Sequence, residues 1–192
     1  MGERAKRGMG KKVKQEISNI DSIKMETVKG HENYPFWVVI LSNLVSLSIY
    51  GLGFIIIIRL GLIVSFLYLI YALILEYRLI RYHCANCYYW GKTCGFGKGR
   101  VSSIFFKRGD ISKFCIKDMS WKDMIPDFLV TLIPIVIGIF LLIVKFDFIL
   151  LIAIVLLIIL TTAGNGFTRR QLTCKYCKQG ELGCPASKLF NK

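Results

Sequence analysis

Histidine is almost missing from this 192-residue sequence, which contains only His31 and His83. Neither has a recognisable catalytic neighbourhood, so the chain lacks an obvious general base. Charge is also scarce, since Asp, Glu, Lys and Arg make up 20% of the residues. None of these residues falls in the middle third of a long apolar run, where ion pumps and transporters of charged solutes usually need such groups. These absences count against an enzyme and against such a transporter.

Apolar residues are what the sequence has in excess, with 54% hydrophobic residues and a mean hydropathy of +0.53. A hydrocarbon core of about 30 Å requires about 20 apolar residues per helical span. Residues 36–75 and 125–163 are each long enough for two spans, with turns near Arg59-Leu60-Gly61 and Lys145-Phe146-Asp147. The sequence therefore predicts an all-α integral membrane protein whose four transmembrane helices form two duplicated hairpins. Two buried helical hairpins of a soluble protein are the alternative.

The sequence also predicts where the fourth span ends. Ala163-Gly164-Asn165-Gly166 follows the last apolar run, and glycine just after such a run is a common helix stop. We therefore expect the fourth helix to end there.

Basic residues are concentrated on one side of the predicted spans. Eight of the 26 Lys and Arg residues precede residue 36, ten lie in residues 78–122 and six follow residue 168, which leaves one in each hairpin turn. By the positive-inside rule, this distribution predicts a multi-pass protein of the cytoplasmic membrane with both termini in the cytosol. The basic side then faces the anionic inner leaflet as a partner. This topology explains the net charge of +14, so the basic composition does not favour a nucleic-acid partner.

The chain divides into four regions on this interpretation. Residues 1–33 are a basic N-terminal tail, with an amphipathic helix at 11–29 or a disordered tail as alternatives. No signal-peptide pattern precedes the first span, which we expect to direct insertion itself. Residues 34–99 hold the first hairpin and a cysteine motif, residues 100–124 an amphipathic interfacial loop, and residues 125–192 the second hairpin and cysteine motif.

Six of the seven cysteines form two copies of the pattern C-x2-C-x6-C, displaced by 90 residues. The first copy is Cys84, Cys87 and Cys94, and the second is Cys174, Cys177 and Cys184. Cytosolic cysteines are scarce except where they bind metal or perform redox chemistry, and a CxxC turn places two thiolates for one ion. The repeat therefore predicts two cytosolic three-cysteine metal knuckles, with zinc as the favoured metal.

The repeated spacing resembles the binuclear zinc–cysteine cluster of fungal transcription regulators. In that family two C-x2-C-x6-C halves supply six thiolates to two zinc ions. The resemblance covers two runs of eleven residues, and 79 residues separate them in this chain. It implies that Cys84 and Cys174 bridge the metals while the other four cysteines are terminal ligands. The DNA-reading basic residues of that family have no clear counterpart.

Other ligand schemes use the same cysteines. Each triplet can hold its own ion, with Cys115 or His83 as an extra ligand to the first. Each triplet can instead hold an iron–sulfur cluster, since Cys184-Pro185 resembles the Cys-Pro ending of ferredoxin motifs. Thiol–disulfide chemistry and structural buried thiols remain as further alternatives.

The functional hypotheses depend on the ligand schemes. A closed all-thiolate site is typical of structural zinc. This favours a structural or adaptor membrane protein in which the metal site staples the two hairpins together. Such a protein would act with a protein partner or as a homo-oligomer. An iron–sulfur electron carrier or redox sensor is the alternative. A membrane thiol–disulfide oxidoreductase is a further alternative, since the four spans resemble those of the four-helix disulfide-generating quinone enzymes. That family has paired cysteines that act on the outer face, whereas this chain has cysteine triplets that its basic residues place inside.

Overall fold

The computed structural model describes residues 30–110, 121–181 and 184, and these residues form helices joined by turns with no strand. The predicted helix at 11–29 and the candidate ligand Cys115 lie outside the described residues. The helices are α1 (Phe36–Ile57), α2 (Leu62–Tyr82), α3 (Lys98–Phe105), α4 (Trp121–Val144), α5 (Phe148–Ile159) and α6 (Lys178–Glu181).

Four helical segments of the described chain are long and apolar enough to cross a membrane. They are Phe36–Leu60, Leu62–Asn86, Ile125–Val144 and Phe148–Thr173, with mean hydropathy between 1.8 and 2.8. Large apolar side chains cover their outer surfaces, as shown by Ile63 and Ile143, each 78% exposed. This arrangement confirms the all-α prediction with four such helices and is compatible with a multi-pass membrane protein.

The two predicted hairpin turns are confirmed and lie together. Gly61 adopts a φ of +132°, a conformation that favours glycine, and separates α1 from α2. The Asp147 carboxylate caps α5 by accepting from the backbone N–H of Ile149 at 2.9 Å. Arg59 and Asp147 form an ion pair at 3.3 Å between the two turns. Both turns therefore lie at one end of the bundle, opposite the cysteine motifs.

Helix α1 lies at the centre of the bundle together with α4, because each of the two packs against the other and against α2 and α5. The buried Ile49 and Ile56 of α1 meet Leu150, Ile154 and other apolar residues of α5. Inside a lipid bilayer the hydrophobic effect does not drive helices together, because lipid tails are as apolar as the side chains. Close van der Waals packing of this kind drives helix association there instead.

A tyrosine on α2 satisfies a carbonyl that a proline leaves without its helical partner. Pro134 has no N–H, so the Val130 carbonyl four residues earlier in α4 loses its usual donor. The hydroxyl of Tyr68 donates to that carbonyl at 3.1 Å. Gly53 of α1 makes room for this hydroxyl, because a Cβ at residue 53 would collide with it. The three helices are thus joined at one point.

The prediction that the fourth span ends at Ala163–Gly166 is wrong. The helix continues from α5 through the wide π-helical turns Leu160–Gly164 and Thr168–Thr173, with the α-helical turn Asn165–Phe167 between them. A glycine stops a helix by adopting positive φ, and neither Gly164 nor Gly166 does so. Threonine hydroxyls add hydrogen bonds along this stretch, as in the donation from Thr168 to the Gly164 carbonyl at 2.8 Å. The helix therefore runs directly to Cys174.

Candidate functional site: the paired cysteine loops

The two cysteine motifs form two loops with matching backbone hydrogen bonds. We call residues 84–94 the first cysteine loop and residues 174–184 the second cysteine loop, of which 182–183 lie outside the described residues. The N–H of Cys87 donates to the Cys84 carbonyl at 3.3 Å, and the N–H of Cys177 donates to the Cys174 carbonyl at 3.2 Å. Three residues after each middle cysteine, an N–H donates to that cysteine's carbonyl, at 3.1 and 2.9 Å. The sequence repeat is therefore also a repeat of local backbone structure.

The two cysteine loops pack against each other through reciprocal hydrogen bonds. The N–H of Tyr88 donates to Oε1 of Gln179 at 2.7 Å, and the N–H of Lys178 donates to the hydroxyl of Tyr89 at 3.2 Å. Position 178 is 90 residues after 88, and 179 is 90 residues after 89. The side chains of Tyr89 and Gln179 are both 1% exposed. The interface is thus pseudo-symmetric, and it buries the polar groups that form it.

The segment before α1 lies against both cysteine loops. The N–H of His31 donates to the Tyr176 carbonyl at 3.1 Å, and the His31 carbonyl accepts from the Tyr89 hydroxyl at 2.6 Å. The N–H of Tyr34 donates to the Thr93 carbonyl at 2.9 Å. These backbone contacts attach the segment to each loop without requiring a particular side chain at residue 31.

Glu32 in this segment joins the loops by charge. Its carboxylate accepts from Lys92 Nζ of the first cysteine loop at 2.6 Å and from Lys178 Nζ of the second. The Tyr88 hydroxyl also donates to it at 2.9 Å. The hydrogen bonds from Lys178, Lys92 and Tyr88, in that order, lower the pKa of Glu32 to about 2. The sequence does not single out Glu32, because it is one of five acidic residues in the basic tail and nothing around it signals these contacts.

Backbone N–H groups point at several of the cysteine sulfurs. The N–H of Gly99, in the first turn of α3, donates to Cys94 Sγ at 3.4 Å. A backbone hydrogen bond from Tyr89 reaches Cys87, and bonds from Gly180 and Gln179 reach Cys177. Each of these bonds stabilises a thiolate more than a thiol. Thiolate-stabilising donors are therefore present in both cysteine loops.

Burial has the opposite effect, and it outweighs the hydrogen bonds at Cys87, Cys174 and Cys177. Desolvation raises the pKa of Cys177 to about 12, despite the hydrogen bonds from Gly180 and Gln179. Burial also raises the pKa of Cys87 and of Cys174. Without a bound cation these three side chains are protonated at neutral pH. A reactive cysteine needs a lowered pKa and an electropositive, exposed setting, so these thiols do not have the character of redox nucleophiles.

The structure brings the two triplets to one place without closing a ligand shell. Within residues 30–110, 121–181 and 184, no group of three or more Cys, His, Asp or Glu side chains is arranged to hold a metal ion. The six cysteines of the two motifs are all free thiols, partly buried as residues. His83 lies within electrostatic range of Asp127 on α4. The predicted metal knuckles thus have the expected neighbourhood but not a formed coordination geometry.

The residues that follow the first cysteine loop are held to the bundle by polar contacts. Glu76 of α2 accepts from the Tyr50 hydroxyl at 2.7 Å and from Lys98 Nζ at 2.5 Å. The Asn43 side chain of α1 donates to the Phe96 carbonyl at 3.1 Å.

Comparisons with models of protein families, with curated proteins and with solved structures found no match for this chain.

Proposed function

We propose that this chain is a multi-pass protein of the cytoplasmic membrane, in which two cytosolic cysteine loops bind zinc and thereby staple two helical hairpins together. Its role is structural, as an adaptor that presents the stapled cytosolic face to a protein partner or to another copy of the chain. The observation that carries this proposal is the reciprocal packing of two cysteine loops with the same spacing and the same backbone turns.

The apolar outer surface supports insertion into a membrane. At most 28% of any of the four candidate spans is buried inside the bundle. Soluble monomers rarely expose large contiguous apolar patches, whereas lipid would cover this surface without cost. The basic residues at the loop end support a cytosolic position for both cysteine loops.

Helix α3 supports contact with the anionic leaflet. Its Ile104 and Phe105 are 77% and 71% exposed, and the exposed Lys107 and Arg108 lie just beyond the end of the helix. Apolar side chains beside basic ones are typical of helices that lie in the membrane interface.

Zinc fits the donors that the cysteine loops provide. Thiolates are preferred ligands of Zn²⁺, and metal binding would remove the protons that burial now keeps on the thiols. Binding requires the sulfurs to turn toward common points from their present positions. Zinc–thiolate formation contributes on the order of 10 kcal/mol in small structural motifs, enough to offset such a rearrangement.

Iron–sulfur electron transfer is the second candidate, since it would use the same cysteines. Thiol–disulfide exchange is disfavoured because burial raises the pKa of Cys87, Cys174 and Cys177.

Metal analysis of the detergent-solubilised protein, purified without oxygen, tests the proposal. We expect about two zinc ions per chain, the number that six shared thiolates can hold, and no visible absorption band. Iron with acid-labile sulfide would favour the electron-transfer candidate. Absence of both metals would overturn the staple. For orientation, a cysteine introduced at Phe146 in the hairpin turn should react with a membrane-impermeant thiol reagent in intact cells, whereas one introduced at Lys107 should not.

A further inference from the structure

The residues that join the two cysteine loops directly follow the middle cysteine of each loop. Tyr88 follows Cys87 and donates its N–H to Gln179, while Lys178 follows Cys177 and donates its N–H to Tyr89. Neighbouring residues along the chain share the same region of space, so this interface draws the two middle cysteines toward each other.

The packing of the sulfur-bearing side chains agrees with this placement. Cys87 and Cys94 of the first cysteine loop and Cys177 of the second pack against the buried aromatic cluster that contains Tyr88 and Tyr89. Among the described residues, Cys84 and Cys174 are not part of that cluster. The middle cysteines thus share one set of apolar neighbours across the interface, and the first cysteines do not.

Coordination number requires that some thiolates be shared. Two tetrahedral zinc ions have more coordination positions than six cysteines can fill singly, and sharing two thiolates completes both ions. Binding would release the cysteine protons to solvent as Zn–S bonds form, with no oxidation or reduction.

We propose that Cys87 and Cys177 are the shared ligands, so that the metal bridge between the two cysteine loops passes through the middle cysteines. Cys84 and Cys174, which the resemblance to the binuclear cluster would make bridging, are then terminal ligands. This inference rests on the proposed metal function, and it also makes a statement about proximity that holds without metal.

Proximity is tested on metal-free protein with a short bifunctional thiol reagent that becomes fluorescent when it joins two sulfurs. The first variant keeps only Cys87 and Cys177, with the other five cysteines replaced by serine, and the matched variant keeps only Cys84 and Cys174. We expect bridging above the denatured-protein background in the first variant and background bridging in the second. Equal bridging, or more in the second variant, overturns the inference even where the protein binds zinc.

Metal stoichiometry tests the same inference in the full chain with single substitutions. Cys87→Ser removes a ligand from both ions and should lose both, whereas Cys84→Ser should lose one of them. The reverse pattern, or the same loss in both variants, contradicts the inference. If the unsubstituted protein binds no metal, the proposed function fails while the cross-linking result still decides which cysteines are paired.

Discussion

The backbone N–H of Tyr88 donates to the side chain of Gln179 at 2.7 Å, and the N–H of Lys178, 90 residues after Tyr88, donates to Tyr89 at 3.2 Å. Each cysteine loop thus offers one N–H and one side-chain acceptor to the other. The pattern is that of a two-fold symmetric dimer interface formed within one chain. The two acceptors differ, since one is the phenol hydroxyl of Tyr89 and the other is the side-chain amide of Gln179. The symmetry is therefore approximate, and the two cysteine loops are not interchangeable.

Removing the Tyr89 hydroxyl should loosen this interface. The hydroxyl donates to the His31 carbonyl at 2.6 Å and accepts from the N–H of Lys178. Tyr89→Phe leaves both groups without that partner in a buried site, which should lower the free energy of unfolding by about 1–3 kcal/mol. Thermal unfolding of the purified protein in detergent measures the change.

The matched control is Tyr82→Phe, since Tyr82 is 57% exposed. We expect no measurable change from this substitution. If the two variants unfold at the same temperature as the unsubstituted protein, the hydrogen bonds of Tyr89 do not hold the loops together.

Glu32→Gln should destabilise the cysteine loops in a pH-dependent way. The substitution removes the charge that pairs with Lys92 and Lys178. Folding lowers the pKa of Glu32 from 4.5 to about 2, so the folded state favours the carboxylate. The stabilisation is therefore complete above pH about 4.5 and is lost as the pH falls toward about 2.

Thermal unfolding of the metal-free protein across this pH range measures the effect. The difference in Tm between the unsubstituted protein and Glu32→Gln should shrink as the pH falls. A difference that stays constant or grows in acid would show that the charge of Glu32 is not the stabilising element.

Gly53→Ala should disturb the contact between α1, α2 and α4. The added Cβ would collide with the Tyr68 hydroxyl, whose hydrogen bond to the Val130 carbonyl would then be displaced. Overpacking of this kind costs about 1–3 kcal/mol. Gly51→Ala is the control, because no atom lies within 4 Å of a Cβ at residue 51. Equal Tm values for the two variants would argue against close packing at Gly53.

The pair formed by Glu76 and Lys98 should behave as a coupled unit. Their side chains are 25% and 18% exposed, and the ion pair is 2.5 Å long. Glu76→Gln or Lys98→Met alone should destabilise by about 1–3 kcal/mol, because each leaves its charged partner poorly solvated. The double variant should lose less than the sum of the two single losses, as a double-mutant cycle in detergent would show. Simple additivity would mean that the pair contributes no coupling.

The sequence was sufficient to predict the helices and the hairpin turns, because both depend on local composition. Long apolar runs identify the four helices, and Gly61 marks a turn that requires positive φ. The end of the fourth helix was predicted wrongly, since Gly164 and Gly166 are equally compatible with a continuing helix. Whether a glycine takes positive φ at such a position depends on how the residues beyond it pack, and local sequence does not carry that information.

The candidate site could be predicted only in part. The cysteine repeat indicated two corresponding loops, and the loops do lie against each other. The contacts of Glu32 with Lys92 and Lys178 join residues 60 and 146 positions apart, and no local pattern announces them. Similarly, the spacing of the cysteines leaves open which sulfurs approach each other, because that depends on the side chains of Tyr88, Tyr89 and Gln179.

The two π-helical turns near the end of the fourth helix change the direction in which the chain leaves that helix. A turn that closes on the fifth residue is wider than an α-helical turn, so every residue after it points in a direction different from the one that a regular helix would give. Leu160–Gly164 and Thr168–Thr173 both precede Cys174, so they set the direction in which the second cysteine loop leaves the bundle. The fit between the two cysteine loops thus depends partly on the fourth helix. Inserting or deleting one residue in that helix would rotate the second cysteine loop away from the first without altering any residue of the interface.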